Sequence, residues 1–307
     1  MERKLIKQGG GGYTIYLPKG WVEKHGLDKG KGVSIIEKED NLVISSSIKT
    51  KNEIRIEVGK KAEEEIHNIL THAYRKGYSR IVLTGKSNQI VKKVKESVST
   101  ILLGFEVTDI SDDSITIENI SEPAEQKYDL ILKKIFFLIE ETHSLLSSGM
   151  EKKKLADFNE ITQIKEQTDK YILFCRRLLF NESSGRNIFF DWEFLTFLNH
   201  IEHIYYYLYK YAKDSDKLQY DEIGKMVAEV KDYFALLKSS YYEKDFGKIE
   251  KINELKKKYQ FGKCLEAIEK SRGDSAVVFS YLRELFRMIQ IATSPILSEI
   301  LEEKNKY

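Results

Sequence analysis

The first 46 residues alternate short apolar and polar runs at the two-residue period of β-strands, broken by four consecutive glycines and one short helical stretch. A unit of this length hides too little surface to fold alone, so we expect it to interlock with a second copy of the chain. The pattern predicts strands over Arg3–Gln8 and Tyr13–Leu17, a helix over Pro18–His25, and strands over Val33–Lys38 and Asn41–Ser46.

Residues 49–121 change to a mixed pattern of strands and helices. Asn88 is predicted to cap the second of two amphipathic helices. The order βαβαββ predicts a small α+β layer in which two helices cover one face of a sheet. The predicted elements are a strand over Glu53–Val58, a helix over 60–76, a strand over Tyr78–Thr84, a helix over Asn88–Leu103, and a hairpin of Phe105–Ile110 with Ser114–Ile120.

From Pro123 onward the chain is predicted to be helical. Six helices in two groups of three, joined by short turns, predict tandem three-helix bundles. The domain boundaries follow as 1–48, 49–121 and 122–307. The predicted helices run over about Glu122–Ser148, Leu155–Phe180, Phe190–Asp214, Asp221–Glu243, Lys248–Ser271 and Ser275–Lys304.

The composition, with 41% hydrophobic and 32% charged residues, is typical of a soluble globular protein. Two cysteines, Cys175 and Cys264, are too few for a disulfide framework and lack the spacing of metal ligands, so we expect buried or partly buried thiols. There is no secretory signal pattern, and no segment approaches the roughly 20 apolar residues of a membrane helix. We therefore expect a cytoplasmic protein that does not insert into membranes.

Positive charge is concentrated at the N-terminus. The whole chain has a net charge of +2, whereas residues 1–31 hold seven lysines and arginines against three acids, a local balance of +4. A dimer would double this balance and attract the phosphates of double-stranded DNA. The forked guanidinium of Arg3 suits a guanine contact, whereas lysines suit phosphates. The alternative to DNA binding is that these residues form an ordinary solvated lysine face. The predicted DNA contacts are Arg3, Lys4, Lys7, Lys19 and Lys24.

The run from Tyr13 to Ile35 (YTIYLPKGWVEKHGLDKGKGVSI) places a Leu-Pro-Lys step before a helix and a Gly-Leu step after it. This order resembles the AbrB/SpoVT/MazE swapped-hairpin DNA-binding domain, over Met1 to about Ser47. The resemblance implies a homodimeric, β-rich domain of the kind found in transcription regulators and antitoxins. In this chain four glycines stand where the family usually has a polar segment between the first two strands.

A second resemblance covers about Glu122 to Glu303. Glu166–Leu178 (EQTDKYILFCRRL) most resembles the PhoU family, above all archaeal members with an AbrB-like N-terminal domain. Ala73–Tyr78 and Leu103–Val107 resemble the segment between the two domains of such proteins. The resemblances imply a multidomain α+β protein with a swapped-hairpin domain, the small layer and all-α tandem bundles. They also imply control of phosphate uptake.

PhoU proteins usually carry a Glu-Arg-Ile-x-Asp run whose acids bind metal clusters. The first bundle has Asn199–His203 (NHIEH) at that position, and the second bundle lacks both acids. Glu202 and His203 could still meet Glu166 or Asp169 of the facing helix. Adjacent residues on a helix point about 100° apart and rarely chelate together, so we predict a polar seam with no metal and no cofactor.

No nucleophile elbow, paired loop carboxylates or His–acid pair beside a Ser or Cys occurs in the sequence, so we expect no enzymatic activity. The leading hypothesis is a homodimeric transcription regulator of phosphate uptake whose bundle senses phosphate status through a ligand or a protein partner. The alternative is an adaptor that binds a phosphate transporter or its signalling kinase and only dimerises through its N-terminal domain. An antitoxin would leave the helical region without a role.

Overall fold

The computed structural model describes residues 3–28, 30–38, 41–46, 53–59, 65–85, 87–121, 127–155, 157–180, 187–215 and 217–304. The chain is mixed α+β, with small sheets toward the N-terminus and a largely helical C-terminal region. It forms two compact units, Met1–Asn52 and Glu53–Tyr307. The predicted α+β layer and the predicted helical region thus belong to one compact unit.

The first unit contains two antiparallel hairpins and one short helix. Among the described residues, β1 pairs only with β2 and β3 only with β4. The second hairpin has the predicted bounds, whereas the first is shorter because its pairing stops at Ile6 and Thr14. In chain order the elements are β1 (Ile6–Gln8), β2 (Gly12–Thr14), α1 (Lys19–Lys24), β3 (Val33–Lys38) and β4 (Asn41–Ser46).

The second unit begins with a four-stranded sheet and two helices in the predicted order. The strands lie in the order β5-β6-β8-β7, with β5 parallel to β6 and the other pairs antiparallel. Ile81 and Leu83 of the sheet belong to the same buried core as Leu70 and Val94 of the helices. The elements are β5 (Glu53–Glu57), α2 (Ile66–Arg75), β6 (Arg80–Thr84), α3 (Asn88–Ile101), β7 (Phe105–Ile110) and β8 (Ser114–Asn119).

Ser87 caps α3, and the prediction that Asn88 does so is wrong. The Ser87 hydroxyl oxygen accepts a hydrogen bond from the backbone nitrogen of Ile90 at 3.2 Å, and Asn88 is the first helical residue. Serine and asparagine are equally good caps, so their order in the sequence does not decide between neighbours. Beyond the helix, Gly104 has a φ of 82°, and a Cβ there would lie 2.9 Å from the carbonyl oxygen of Ser121.

The remainder of the unit is built from helices, none of which, within the described residues, has a stretch long and apolar enough to cross a bilayer. Both predicted cysteine thiols, of Cys175 and Cys264, are buried. The helices are α4 (Lys127–Glu151), α5 (Phe158–Phe180), α6 (Ile188–Ala212), α7 (Tyr220–Glu243), α8 (Phe246–Lys258), α9 (Cys264–Lys270), α10 (Asp274–Ile291) and α11 (Thr293–Lys304).

The last two predicted helices are each divided. A π-helical turn, Tyr259–Lys263, separates α8 from α9, and the buried Gln260 within it donates to the backbone oxygen of Phe286. Arg283 in turn donates to the backbone oxygen of Gln260 at 2.9 Å, so α10 satisfies groups that the turn leaves free. Between α10 and α11, Pro295 lies in the first turn of the new helix, where its missing N–H costs least.

The helices pack in two groups that share one core. The helices α4, α5 and α6 contact one another, as do α7, α8 and α10, and α9 contacts α10. In addition, α4 contacts α7 and α6 contacts α10. Phe136 of α4 lies against Phe194 of α6 and Phe234 of α7, with ring centroids 6.1 and 5.8 Å apart. Aromatic side chains therefore fill the junction between the two groups.

The buried side chain of Arg177 connects the helical region to the sheet layer. Its guanidinium donates to the backbone oxygen of Tyr74, in the last turn of α2, at 2.7 Å and to that of Tyr78, just beyond the helix, at 2.9 Å. The same group lies 4.9 Å from the Tyr74 ring centroid and 4.8 Å from that of Phe105. A buried charge is tolerated here because carbonyl groups at a helix C-terminus carry partial negative charge.

Substitution of Arg177→Met should lower the free energy of unfolding by roughly 2–4 kcal/mol, because two buried carbonyl groups would be left without a charged donor. Urea unfolding followed by circular dichroism measures the change. The matched control is Arg287→Met, whose exposed guanidinium bonds Glu284 of its own helix and should change stability by less than about 1 kcal/mol. Equal effects of the two substitutions would contradict the role of Arg177.

Candidate functional site

The five predicted DNA contacts are exposed side chains of the first unit. Lys7 lies in β1, whereas Lys19 and Lys24 are the first and last residues of α1. Arg3 and Lys4 precede β1. In the described part of the unit, the one ion pair among the five joins Lys19 to Glu23, at 3.6 Å between highly exposed groups. Such a pair is weak, so all five charges can meet an external anion.

Glycine forms the turn of the first hairpin. Gly10 and Gly11 have φ values of 104° and 97°, a region that other residues rarely adopt. A Cβ at either position would meet no other atom within 4 Å, so backbone geometry and not space requires glycine here. Lys7 lies directly across from Tyr13 in the pairing, close to this turn. The backbone amides near the turn are therefore approachable by a bulky anion.

The apolar side chains of the first unit are mostly uncovered. Leu27 is the only fully buried side chain among those described there, whereas Tyr16 is 67%, Ile35 57% and Leu42 58% exposed. Ile35 and Leu42 lie on one face of the second hairpin, because side chains alternate along paired strands. The ring of Trp21 is half-buried and lies 5.1 Å from the His25 ring. So large an uncovered apolar surface is unusual for so small a unit.

No protein-family model, curated protein or solved structure matches the chain.

The predicted polar seam of the second unit is divided between helices. Asp169 on α5 accepts hydrogen bonds from Lys165 at 2.7 Å and from His203 on α6 at 2.8 Å. Burial alone would raise the pKa of Asp169, but the bonds from His203 and Lys165 outweigh it and the pKa is lowered. Sequence reasoning missed Lys165, although its position four residues before Asp169 is the spacing of a helical ion pair.

Glu202 contacts a different helix from its neighbour His203. It is fully buried, and its Oε1 accepts a hydrogen bond from Thr142 of α4 at 3.0 Å, while Oε2 has no hydrogen-bond partner among the described residues. Burial raises the pKa of Glu202 to about 8. Glu166 is exposed. The described residues contain no group of three or more His, Cys, Asp or Glu side chains arranged to hold a metal ion.

Thr142 was not predicted, since it lies 60 residues from Glu202 and no local pattern joins them. The seam thus consists of a charged cluster at Asp169 and a separate buried carboxyl group at Glu202. Its evident role is to orient α4, α5 and α6, since buried polar groups tolerate few alternative packings.

Substitution of Glu202→Gln should make stability less dependent on pH. The folded-state pKa of about 8 lies above the ordinary value of 4.5, so between these pH values the unfolded chain loses a proton that the folded chain keeps. The free energy of unfolding therefore falls as pH rises through this window and is unaffected below it. The glutamine variant lacks this fall and should gain stability relative to the parent, by up to about 1.4 kcal/mol per pH unit.

Urea unfolding at about pH 5 and about pH 8 tests this expectation. Glu166→Gln removes an exposed carboxylate of the adjacent helix and serves as the control, with little expected change. If the Glu202→Gln variant and the parent lose the same stability between the two pH values, Glu202 ionises in the folded chain as freely as in the unfolded chain.

Proposed function

We propose that this chain is a homodimeric, DNA-binding transcription regulator of phosphate uptake. The observation that carries the proposal is the combination, in the first unit, of five exposed cations with a largely uncovered set of apolar side chains. The exposed apolar side chains favour association of this unit with a second copy. The cations then give the dimer a positively charged surface that suits a polyanion.

Self-association follows from the small size of the hairpins. An isolated two-stranded hairpin is marginal in water and becomes stable when more strands or another apolar surface cover it. A second copy offers the same exposed residues, such as Ile35 and Leu42, and a two-fold arrangement buries both sets at once. The homodimer therefore supplies the core that one copy lacks.

DNA binding follows from the charge. Two copies present ten cations in symmetric pairs, which suits the two half-sites of an operator. The glycine turn adds backbone amides that can approach a phosphate closely. Arg3 is assigned to a base edge and the four lysines to phosphates, as the geometry of their head groups favours.

The assignment to phosphate uptake rests on the resemblance of Glu166–Leu178 and the surrounding helices to the PhoU family. In this proposal the second unit senses phosphate status through a ligand, a transporter or a signalling protein. In the adaptor hypothesis the second unit binds the same kind of partner, but the first unit serves only for dimerisation. A measurement of DNA affinity therefore distinguishes the adaptor from the regulator.

Substitution of both Arg3 and Lys7 by alanine should weaken binding of the full-length chain to DNA from upstream of its own gene and of phosphate-transport genes. The slope of log K against log salt should decrease by roughly 0.9 for each phosphate that the variant no longer neutralises. Fluorescence anisotropy at several salt concentrations, with random duplex as competitor, measures both quantities. Lys92→Ala with Lys95→Ala, two exposed lysines of α3, is the control and should change neither.

Weak and equal binding of the parent to every duplex would refute the regulator proposal in favour of the adaptor. Specific binding that the Arg3 and Lys7 substitutions leave unchanged would keep the function but reject these residues as its contacts.

Substitution of Ile35→Glu should shift the full-length chain toward monomer, because a charge would then lie in the apolar interface between copies. Sedimentation-velocity ultracentrifugation over a range of concentrations measures the dimer dissociation constant, which should rise by at least about tenfold. Ile120→Glu places the same charge at a similarly exposed isoleucine of the second unit and should have no effect. A parent that is monomeric at all concentrations would refute self-association.

A further inference from the structure

A cavity of about 410 Å³ lies in the second unit between the sheet layer and the helical region. Side chains of α2 and α3 line one side, and side chains of α5 and α6 line the other. Along α5 the lining runs from Lys165 to Arg176, a length of about 16 Å at the helical rise of 1.5 Å per residue. This size is within the range of small-molecule binding pockets in proteins.

Arg176 brings to this cavity a positive charge that no described carboxylate pairs directly. Its Nη2 donates to the hydroxyl of Thr196 at 2.9 Å, its Nε is buried without a partner, and no described carboxylate lies within ion-pair distance. Burial and then the nearby charge of Arg75 lower the pKa of Arg176 to about 10. Both guanidinium groups lie against Trp192, 5.2 and 5.9 Å from its ring centroid, so two cations share a neutral neighbour.

The acidic residues of the lining form no ion pair with Arg176, and Asp169 favours its charged form only through space. Asp169 is already bonded to Lys165 and His203. Glu96 and Glu166 are exposed to solvent, where water screens their charges. A buried or half-buried guanidinium without a carboxylate partner favours an anion that enters from solution.

The rest of the lining favours an organic body on that anion. Ile101, Ile172 and Leu173 are buried apolar side chains of the lining. Thr71 and Asn199 each carry a buried side-chain oxygen that has no hydrogen-bond partner in the described part of the chain. Because buried polar atoms are almost always paired, unpaired atoms on several lining residues are what a binding site would show.

We propose that this cavity binds a small organic anion, a carboxylate or phosphate monoester whose charged group is held by Arg176 and whose apolar body lies against Ile172 and Leu173. The ligand would touch helices of both the sheet layer and the helical region. Its binding would therefore stabilise their packing and raise the thermal unfolding temperature of the chain.

Isothermal titration calorimetry of the full-length chain tests the proposal without DNA, so the outcome is independent of whether the first unit binds nucleic acid. Phenyl phosphate and benzoate are the probes, with phenol as the uncharged analogue and inorganic phosphate as the anion without an apolar body. We expect at least one aromatic anion to bind once per chain, with an affinity at least about tenfold above those of phenol and inorganic phosphate.

Two variants locate the site. Arg176→Met should weaken binding of the aromatic anion by at least about tenfold, and Thr71→Met, which fills the cavity without changing its charge, should weaken it similarly. Thr71 loses only an unpaired hydroxyl, so this variant is expected to fold, which urea unfolding checks. Arg287→Met removes an exposed guanidinium and should leave the affinity unchanged.

The proposal is overturned if neither aromatic anion binds, if phenol or inorganic phosphate binds as tightly as they do, or if the folded Thr71→Met variant binds with the parent's affinity. Equal loss in the Arg176→Met and Arg287→Met variants would likewise overturn it, because it would show a general effect of charge.

Discussion

The packing of the second unit depends on one buried guanidinium, that of Arg177. One of its carbonyl partners lies in the last turn of α2 and the other just beyond that helix, and its two aromatic neighbours, Tyr74 and Phe105, belong to the core of the sheet layer. The donors of an arginine are fixed in a plane, which restricts the orientations in which it can bond both carbonyl groups. The relative position of α2 and α5, and with it the cavity between them, is therefore set by hydrogen-bond geometry as much as by apolar burial.

The two units obtain their stability in different ways. The second has a continuous core that runs from the sheet through all the long helices, whereas the first leaves side chains such as Tyr16 and Leu42 exposed. In the proposed regulator, the folding of the first unit is linked to self-association, so its DNA affinity depends on protein concentration as well as on charge. A regulator of this kind responds to its own abundance without any additional ligand.

Local pattern predicts much of the fold. The bounds of β3 and β4 and the order of all six elements of the sheet layer follow from alternation and turn residues. Features that depend on distant residues do not. The π-helical turn requires Arg283 from another helix, and the burial of Glu202 depends on Thr142. Among the candidate sites, the exposed cations were predictable from the charge pattern of the sequence. That Arg176 lacks a carboxylate partner becomes visible only from the packing of α5 against α6.

The two cysteines make this chain convenient for chemical labelling. Cys175 and Cys264 are both completely buried, and burial raises the pKa of the Cys264 thiol to about 12, so it forms almost no reactive thiolate at neutral pH. A cysteine introduced on the surface would therefore be modified selectively in the folded protein. Conversely, a buried native thiol can react only when the structure around it opens, so its slow modification would report how often this happens. Cys175 adjoins Arg176 and Arg177 on α5, so it would report opening of that part of the helical region.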